Sequence, residues 1–245
     1  MPKLEPYSRD LPYSYALGLF PSMTLMTERP ELARRLLLSP EGLGAPGVEK
    51  LRAMCESRGV REEEAARVLR RESRKENCYA AVVFEKRACD LSAEENHIVL
   101  CQISDAGNLG TALRSALGFG YEDVALVRPC VDVFDPHVVR ASMGAFFRLR
   151  VRTFDAFDDY RALYPSRALY PFMLDGAKPL EAVAREAERP FSLVFGNEQA
   201  GLPAGFAALG QSVRIPQSDR IDSLNLSVAV SIGAYAFSDL RREEQ

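Results

Sequence analysis

Three short stretches bring together residue types suited to holding a charged ligand and managing a proton. The first is Asn108-Leu109-Gly110-Thr111-Ala112-Leu113-Arg114. It follows a strand-like run, His97 to Ile103, and a Ser104-Asp105-Ala106-Gly107 turn, so Asn108 reads as a helix N-cap. Backbone N–H groups at such a helix start can bind an anion, and Arg114 lies six residues past the cap. Taken alone, an arginine in that position is more often a surface ion pair. The second stretch is Gly196-Asn197-Glu198-Gln199-Ala200-Gly201-Leu202, at the end of the buried-strand run Phe191 to Phe195. Gly196 lets a ligand approach the main chain closely, Asn197 and Glu198 add polar groups, and Gly201 ends the turn. The same residues could be a strand-end loop with a helix-capping acid. The third stretch runs from Ile215-Pro216-Gln217 through Asp219 to Ser223-Leu224-Asn225-Leu226-Ser227. Ser223 could be the N-cap of the last helix, with Asn225 and Ser227 as first-turn residues. Two strand-end loops and a helix start at the C-terminal edge of one sheet nevertheless make a candidate ligand site.

The elements that must carry these stretches alternate. Strand runs at 97–103 and 124–127 flank a helix over 109–117 that ends at Gly118-Phe119-Gly120, a βαβ unit that predicts a parallel sheet. Further strands are expected at 149–153, 170–174, 191–195 and 212–215, and a terminal helix from Ser227 to Leu240. No Gly-x-Gly-x-x-Gly fingerprint accompanies the βα turn, which disfavours a nicotinamide enzyme. The two histidines, His97 and His137, lie outside all three stretches, which disfavours a histidine base.

Ahead of this region lies a small α/β unit. Residues 13–20 are apolar but short; Pro21 and Ser22 open a helical pattern whose inner side is Leu25, Leu32, Leu36, Leu37 and Leu38, interrupted at Pro30. A second helix is expected around Val48, Leu51 and Cys55, ending by Gly59, and a charged helix over 61–75. Arg67, Arg70, Arg71, Arg74 and Lys75 fall at helical spacing there, with Glu62, Glu63 and Glu64 as candidate partners one turn upstream. Tyr79 to Phe84 is a buried-strand candidate, and the polar run 85–96 carries no periodicity. The domains are therefore drawn as residues 1–88, a linker at 89–96, and residues 97–245.

Bulk properties narrow the class. With 47% hydrophobic and 27% charged residues, the 245-residue chain can bury a core. No apolar run approaches the roughly 20 residues of a membrane helix, and the N-terminus lacks a secretory pattern. Five cysteines without metal-like spacing read as reduced thiols in a cytoplasmic protein, with no metal. The net charge of −3 argues weakly against nucleic acid, but residues 1–95 are electrically balanced and can still cluster their cations.

In this order, the three stretches resemble the three motifs of the SpoU/TrmH-type RNA ribose 2′-O-methyltransferases, of the SPOUT class. The resemblance covers about residues 97–245. The Lys75-Glu76-Asn77 turn and the strand after it make the front unit similar to that family's ribosomal-protein-like substrate domain. The resemblance implies a parallel-sheet α/β domain with a deep C-terminal trefoil knot, and a homodimer whose site is completed by the second subunit. It implies S-adenosylmethionine as methyl donor, held near Gly196, Gly201, Ile215, Leu224 and Asn225. Arg114 would act at the ribose hydroxyl, with Asn108, Glu198, Ser223 and Asn225 orienting it, the nucleotide and the loops. The partner would be RNA, ribosomal RNA first and transfer RNA second; a catalytically silent RNA-binding factor is the alternative. Ser142-Met143-Gly144-Ala145 after Arg140 also resembles a family segment, for packing or RNA contact. The family commonly has Met and Gly where this chain has Gln217 and Asp219, and Asp219 puts a Cβ where glycine freedom is often needed.

Overall fold

The computed structural model describes residues 4–239. They divide into two compact units: residues up to Arg87 together with Asp132–Arg148, and Ala88–Val131 together with Leu149 onward. The expectation of an uninterrupted domain over 97–245 is thus corrected. Residues 132–148 belong with the first unit because Val139 and Phe147 are buried in its core beside Leu25, Leu36 and Phe84.

The first unit is a four-stranded mixed sheet, order β1-β4-β2-β3. Its chain-order elements are β1 (Tyr13–Leu17), α1 (Leu19–Glu28), β2 (Ala33–Leu38), α2 (Pro46–Glu56), β3 (Arg61–Glu64), α3 (Ala66–Ser73) and β4 (Ala80–Glu85). Gly18, at φ +90°, turns the chain from β1 into α1, and the Ser22 hydroxyl donates to Ala16 O at 2.7 Å while accepting from Val82 N at 3.2 Å. Leu36, Leu37 and Leu38 lie on a strand, not on the inner side of a helix. Leu36 and Leu38 enter one core and Leu37 the other, so the unbroken apolar run belongs to a strand covered on both faces. Arg61–Glu64 is likewise a strand, where a helix was expected. It pairs in parallel with β2 at the sheet edge and is exposed throughout, the charged edge that discourages pairing with another chain. This changes the charge partners: Glu62 pairs with Arg52 and Glu63 with Arg35, so neither neutralises the arginines of α3.

The second unit holds a five-stranded parallel sheet, order β7-β6-β5-β10-β8, and a two-stranded sheet, β11-β9. In chain order come β5 (His97–Cys101), α4 (Ala106–Gly118), β6 (Asp123–Val127), α5 (Pro136–Ala141, in the first unit), β7 (Arg150–Phe154) and α6 (Phe157–Leu163). β8 (Ala168–Pro171), β9 (Lys178–Pro179), α7 (Leu180–Arg185), β10 (Phe191–Phe195), β11 (Val213–Arg214) and α8 (Leu226–Phe237) follow. The parallel sheet expected of the fold class is present, and β10 lies between β5 and β8 in parallel register. The strand expected at 212–215 is shorter and belongs to the small sheet. Asp105, not Asn108, caps α4: its side chain accepts from Asn108 N at 2.7 Å. Asn225, not Ser223, caps α8, accepting from Ser227 N at 2.9 Å; the helix ends at Phe237, where Ser238 is extended, short of the expected Leu240, which itself lies outside the described residues. α8 packs on α4 through a Ser231–Ser115 hydroxyl contact of 2.7 Å and on the sheet through Gly233, where an added Cβ would meet the rings of Phe172 and Phe195 at 2.7–2.9 Å.

Candidate active site

The C-terminal ends of β5, β10 and β8 share one sheet edge, and the loops leaving it enclose a cavity of about 310 Å³. Gly196, Glu198, Gly201, Ile215, Ser223 and Leu224 all line it. The main chain at Gly196 is pressed so closely on the next loop that an added Cβ would lie 2.3 Å from Gly201 C. Gly201 itself sits at φ +67°, the left-handed region that favours glycine. This bare cradle leaves backbone N–H and C=O groups as the recognising surface on that wall, with Phe172, Phe195 and Leu226 adding apolar area.

A polar chain runs along the rim. Asn225 Nδ2 donates to Asn108 Oδ1 at 2.9 Å, and Asn108 Nδ2 donates to Glu198 Oε1 at 3.4 Å. Asn197 Nδ2 donates to Gln102 O at 2.8 Å and to the other Glu198 oxygen at 3.3 Å, while Asn197 Oδ1 accepts from Gln199 N and Ala200 N. Residues from the first, second and third stretches are therefore joined by amide–carboxylate contacts. A neutral amide between a carboxylate and a second amide fixes donor and acceptor directions, which holds the loops without using up the negative charge.

Arg114 is not part of this wall. It projects from the exposed stripe of α4 and, among the described residues, makes no hydrogen bond or ion pair. Asn108 and Asn225 stand at the rim, Asn225 as the cap of α8. Sequence reasoning missed the contribution of the chain after β8, where Phe172, Met173, Leu174 and Asp175 line the cavity. The available signal was positional: a strand expected over 170–174 must end at the same edge as Phe195. It also missed Asn197 as the brace of its own loop. Asp219 is exposed and is not among the positive-φ residues, so the loop needs no glycine there. Gln217 lines the cavity and donates to Asp222 O at 3.4 Å.

The opposite edge of the same sheet is different in kind. A larger hollow, about 540 Å³, is lined by Asn96, Glu122, Arg150, Arg189 and Asp239 among others. Here the charges are matched: Arg150 binds the fully buried Asp123 at 2.5 and 2.8 Å and Glu122 at 3.1 Å, and Arg189 binds Asp239 through two contacts of 2.5 and 2.7 Å. Beneath it His97 bridges Tyr160 Oη, at 2.9 Å, and Ser92 O, at 2.7 Å. Burial, then the nearby Arg167 guanidinium, push the His97 imidazole down to about 4. Among the described residues no group of three or more His, Cys, Asp or Glu could hold a metal ion, and no helix is long and apolar enough to cross a membrane.

The model of the SpoU rRNA Methylase family matches residues 95–235. An uncharacterized tRNA/rRNA methyltransferase of Synechocystis sp. is 30% identical over 148 residues, 60% of this chain and 53% of the relative. The 23S rRNA (guanosine(2553)-2′-O)-methyltransferase RlmP of Bacillus subtilis is 27% identical over 149 residues, 59% of this chain and 58% of the relative. The chain thus spans little more than half the length of these two curated relatives. Among solved structures, the AdoMet-bound rRNA methyltransferase from Sinorhizobium meliloti superposes with a TM-score of 0.78 at 27% identity, covering 96% of this chain and 88% of that one.

Proposed function

The chain belongs to the SpoU rRNA methylase family, and from that premise we propose that it transfers the methyl group of S-adenosylmethionine to a ribose 2′-hydroxyl of structured RNA. Ribosomal RNA is the preferred substrate and transfer RNA the alternative. One observation carries the reading: residues of the second and third stretches line one cavity whose wall at Gly196 is bare backbone, and the Asn225–Asn108–Glu198 chain ties the first stretch to its rim. The donor fits such a site. Gly196, Gly201, Ile215 and Leu224 would hold its nucleoside through main chain and apolar contact, and an AdoMet-bound relative has the same fold. The reading includes a threaded, knotted chain in the second unit, as the family resemblance implies.

When bound, the sulfonium supplies a methyl group already activated toward nucleophiles. What remains for the protein is alignment and the hydroxyl proton. Arg114 is the group for that task. A guanidinium is very hard to deprotonate, so its role is to stabilise the developing alkoxide and hold the adjacent phosphate, a contact worth roughly 10²–10³ in rate. Since Arg114 lies outside its own cavity wall, it serves the site of a second copy in a homodimer. The exposed stripe of α8, Val228 and Tyr235, is apolar enough to be the interface.

Mixed dimers test this. Arg114→Ala and Asn225→Ala proteins are each expected to be nearly inactive as homodimers. Mixed and allowed to exchange subunits, they form dimers with one intact composite site and regain a substantial part of wild-type methylation. Mixtures as inactive as their parents, with exchange confirmed, would return Arg114 to its own subunit. Absence of donor binding by the wild-type protein would remove the enzymatic reading altogether.

A further inference from the structure

The first unit carries exposed apolar side chains along one end of its sheet. Phe20 is 68% exposed and Tyr79 39% exposed. They are held at that end by short connections. Ser39 N donates to Tyr79 O at 2.8 Å, and Gly18, two residues before Phe20, donates from its N–H to Ala80 O at 2.9 Å. Met143, 42% exposed, joins them: it stands at φ +51° beside Gly144, whose added Cβ would meet Thr24 Oγ1 at 2.5 Å, and Thr24 bonds Phe20 O at 3.0 Å. An apolar surface alone would fit many partners. Its surroundings select one.

Cations flank it. Arg74, in the left-handed conformation that ends α3, and Lys75 are exposed and make no ion pair among the described residues; Glu76 is the one acid of that turn. The turn is tied to the patch, since Ser73 Oγ donates to Lys75 O at 2.9 Å and also faces Cys78, the neighbour of Tyr79. Arg140 lies near Cys78, its Nη1 buried and, among the described residues, without a hydrogen-bond partner. Burial raises the Cys78 thiol, and the nearby Arg140 guanidinium works against that rise. Aromatic faces for bases, flanked by cations for phosphates, are the two components of sequence-tolerant binding to single strands. A duplex keeps its bases stacked on each other and has no use for the rings.

We propose that Phe20 and Tyr79 form a stacking platform for unpaired bases of the RNA, with Arg74, Lys75 and Arg140 on its phosphates, so that the substrate is recognised through a loop or bulge and not through a regular helix. This rests on the reading of the chain as an RNA methyltransferase and specifies how the first unit takes its substrate.

The test uses the full-length protein, a single-stranded oligoadenylate of about 12 nucleotides containing 2-aminopurine, and an RNA duplex of similar length. Binding of the single strand is expected to quench 2-aminopurine. The Phe20→Ala, Tyr79→Ala double variant should bind that strand at least tenfold more weakly while changing duplex affinity less than twofold. Arg74→Ala with Lys75→Ala should flatten the salt dependence by about 0.7 per lost phosphate contact. Both rings are exposed and Tyr79→Ala keeps the Cβ that rests on Gly42, so the variants are expected to fold. Unchanged single-strand affinity, an equal loss on the duplex, or a change of oligomeric state in place of RNA affinity would each overturn the platform. None of these readouts depends on methyl transfer, so donor binding and methylation measured in parallel separate failure of the platform from failure of the enzymatic reading.

Discussion

The two edges of the parallel sheet in the second unit are built from the same strands and have opposite characters. At the N-terminal edge lies the larger hollow, about 540 Å³, and its charges are paired: Asp123 with Arg150, Arg189 with Asp239. At the C-terminal edge the cavity is smaller, about 310 Å³, and its polar groups are amides arranged around one carboxylate, with Arg114, which makes no ion pair among the described residues, on the neighbouring helix face. Size alone would point to the N-terminal edge, away from the proposed site. The useful distinction is how much binding capacity the protein has already consumed within itself. A matched ion pair has little left for a ligand, whereas bare backbone at Gly196 and a half-committed Glu198 do.

The contrast can be broken or sharpened by three measurements. The largest effect belongs to the structural edge. His97 has its folded-state value pushed down to about 4, below an unfolded value near 6.5. Acid therefore favours the unfolded chain: the stability this group contributes is complete above about pH 6.5 and is lost as pH falls toward 4, on the order of 3 kcal/mol. Asp123, Arg150, Arg167 and Tyr160 all act on the same ring's surroundings, so the check is direct. The imidazole should stay neutral by NMR well below pH 6, and protonation near 6.5 would show that this edge is open to water. The intermediate effect is at the other edge. Asn225→Ala removes both the cap of α8 and the bond to Asn108, and should weaken donor binding or turnover at least tenfold, about 1.4 kcal/mol. Unchanged affinity and rate would dissociate the amide chain from the site. The smallest is Arg189→Ala, which loses an exposed pair worth about 0–1 kcal/mol and leaves donor affinity as it was. A clear drop in donor affinity there would mean that the two edges are not functionally distinct.

The sequence made the second unit legible where local signals were strong. Alternation of strand and helix around Val99, Leu113 and Val124 required a parallel sheet, and the runs ending at Gly196 and Pro216 marked its loops. The insertion of β10 between β5 and β8 was not legible, because parallel neighbours far apart in the chain leave no local trace. In the first unit, Leu36–Leu38 and Arg61–Glu64 read as helical because a strand buried on both faces and a charged edge strand both lack alternation. At the site, Glu198, Ser223 and Leu224 could be named from the family resemblance of their stretches. Phe172 and Leu174 belong to no motif, and the only signal for them was the expected strand over 170–174 ending at the same edge. The caps were each displaced: Asp105 and Asn225 do what Asn108 and Ser223 were expected to do, one polar residue competing with another nearby.

Residues 132–148 leave the second unit, bury Val139 and Phe147 in the first, and return. The peptide chain is therefore cut by the boundary at three points, after Arg87, Val131 and Arg148, and no single scission yields two self-sufficient halves. A fragment starting at residue 97 would keep those two side chains while discarding the leucines and phenylalanine that cover them.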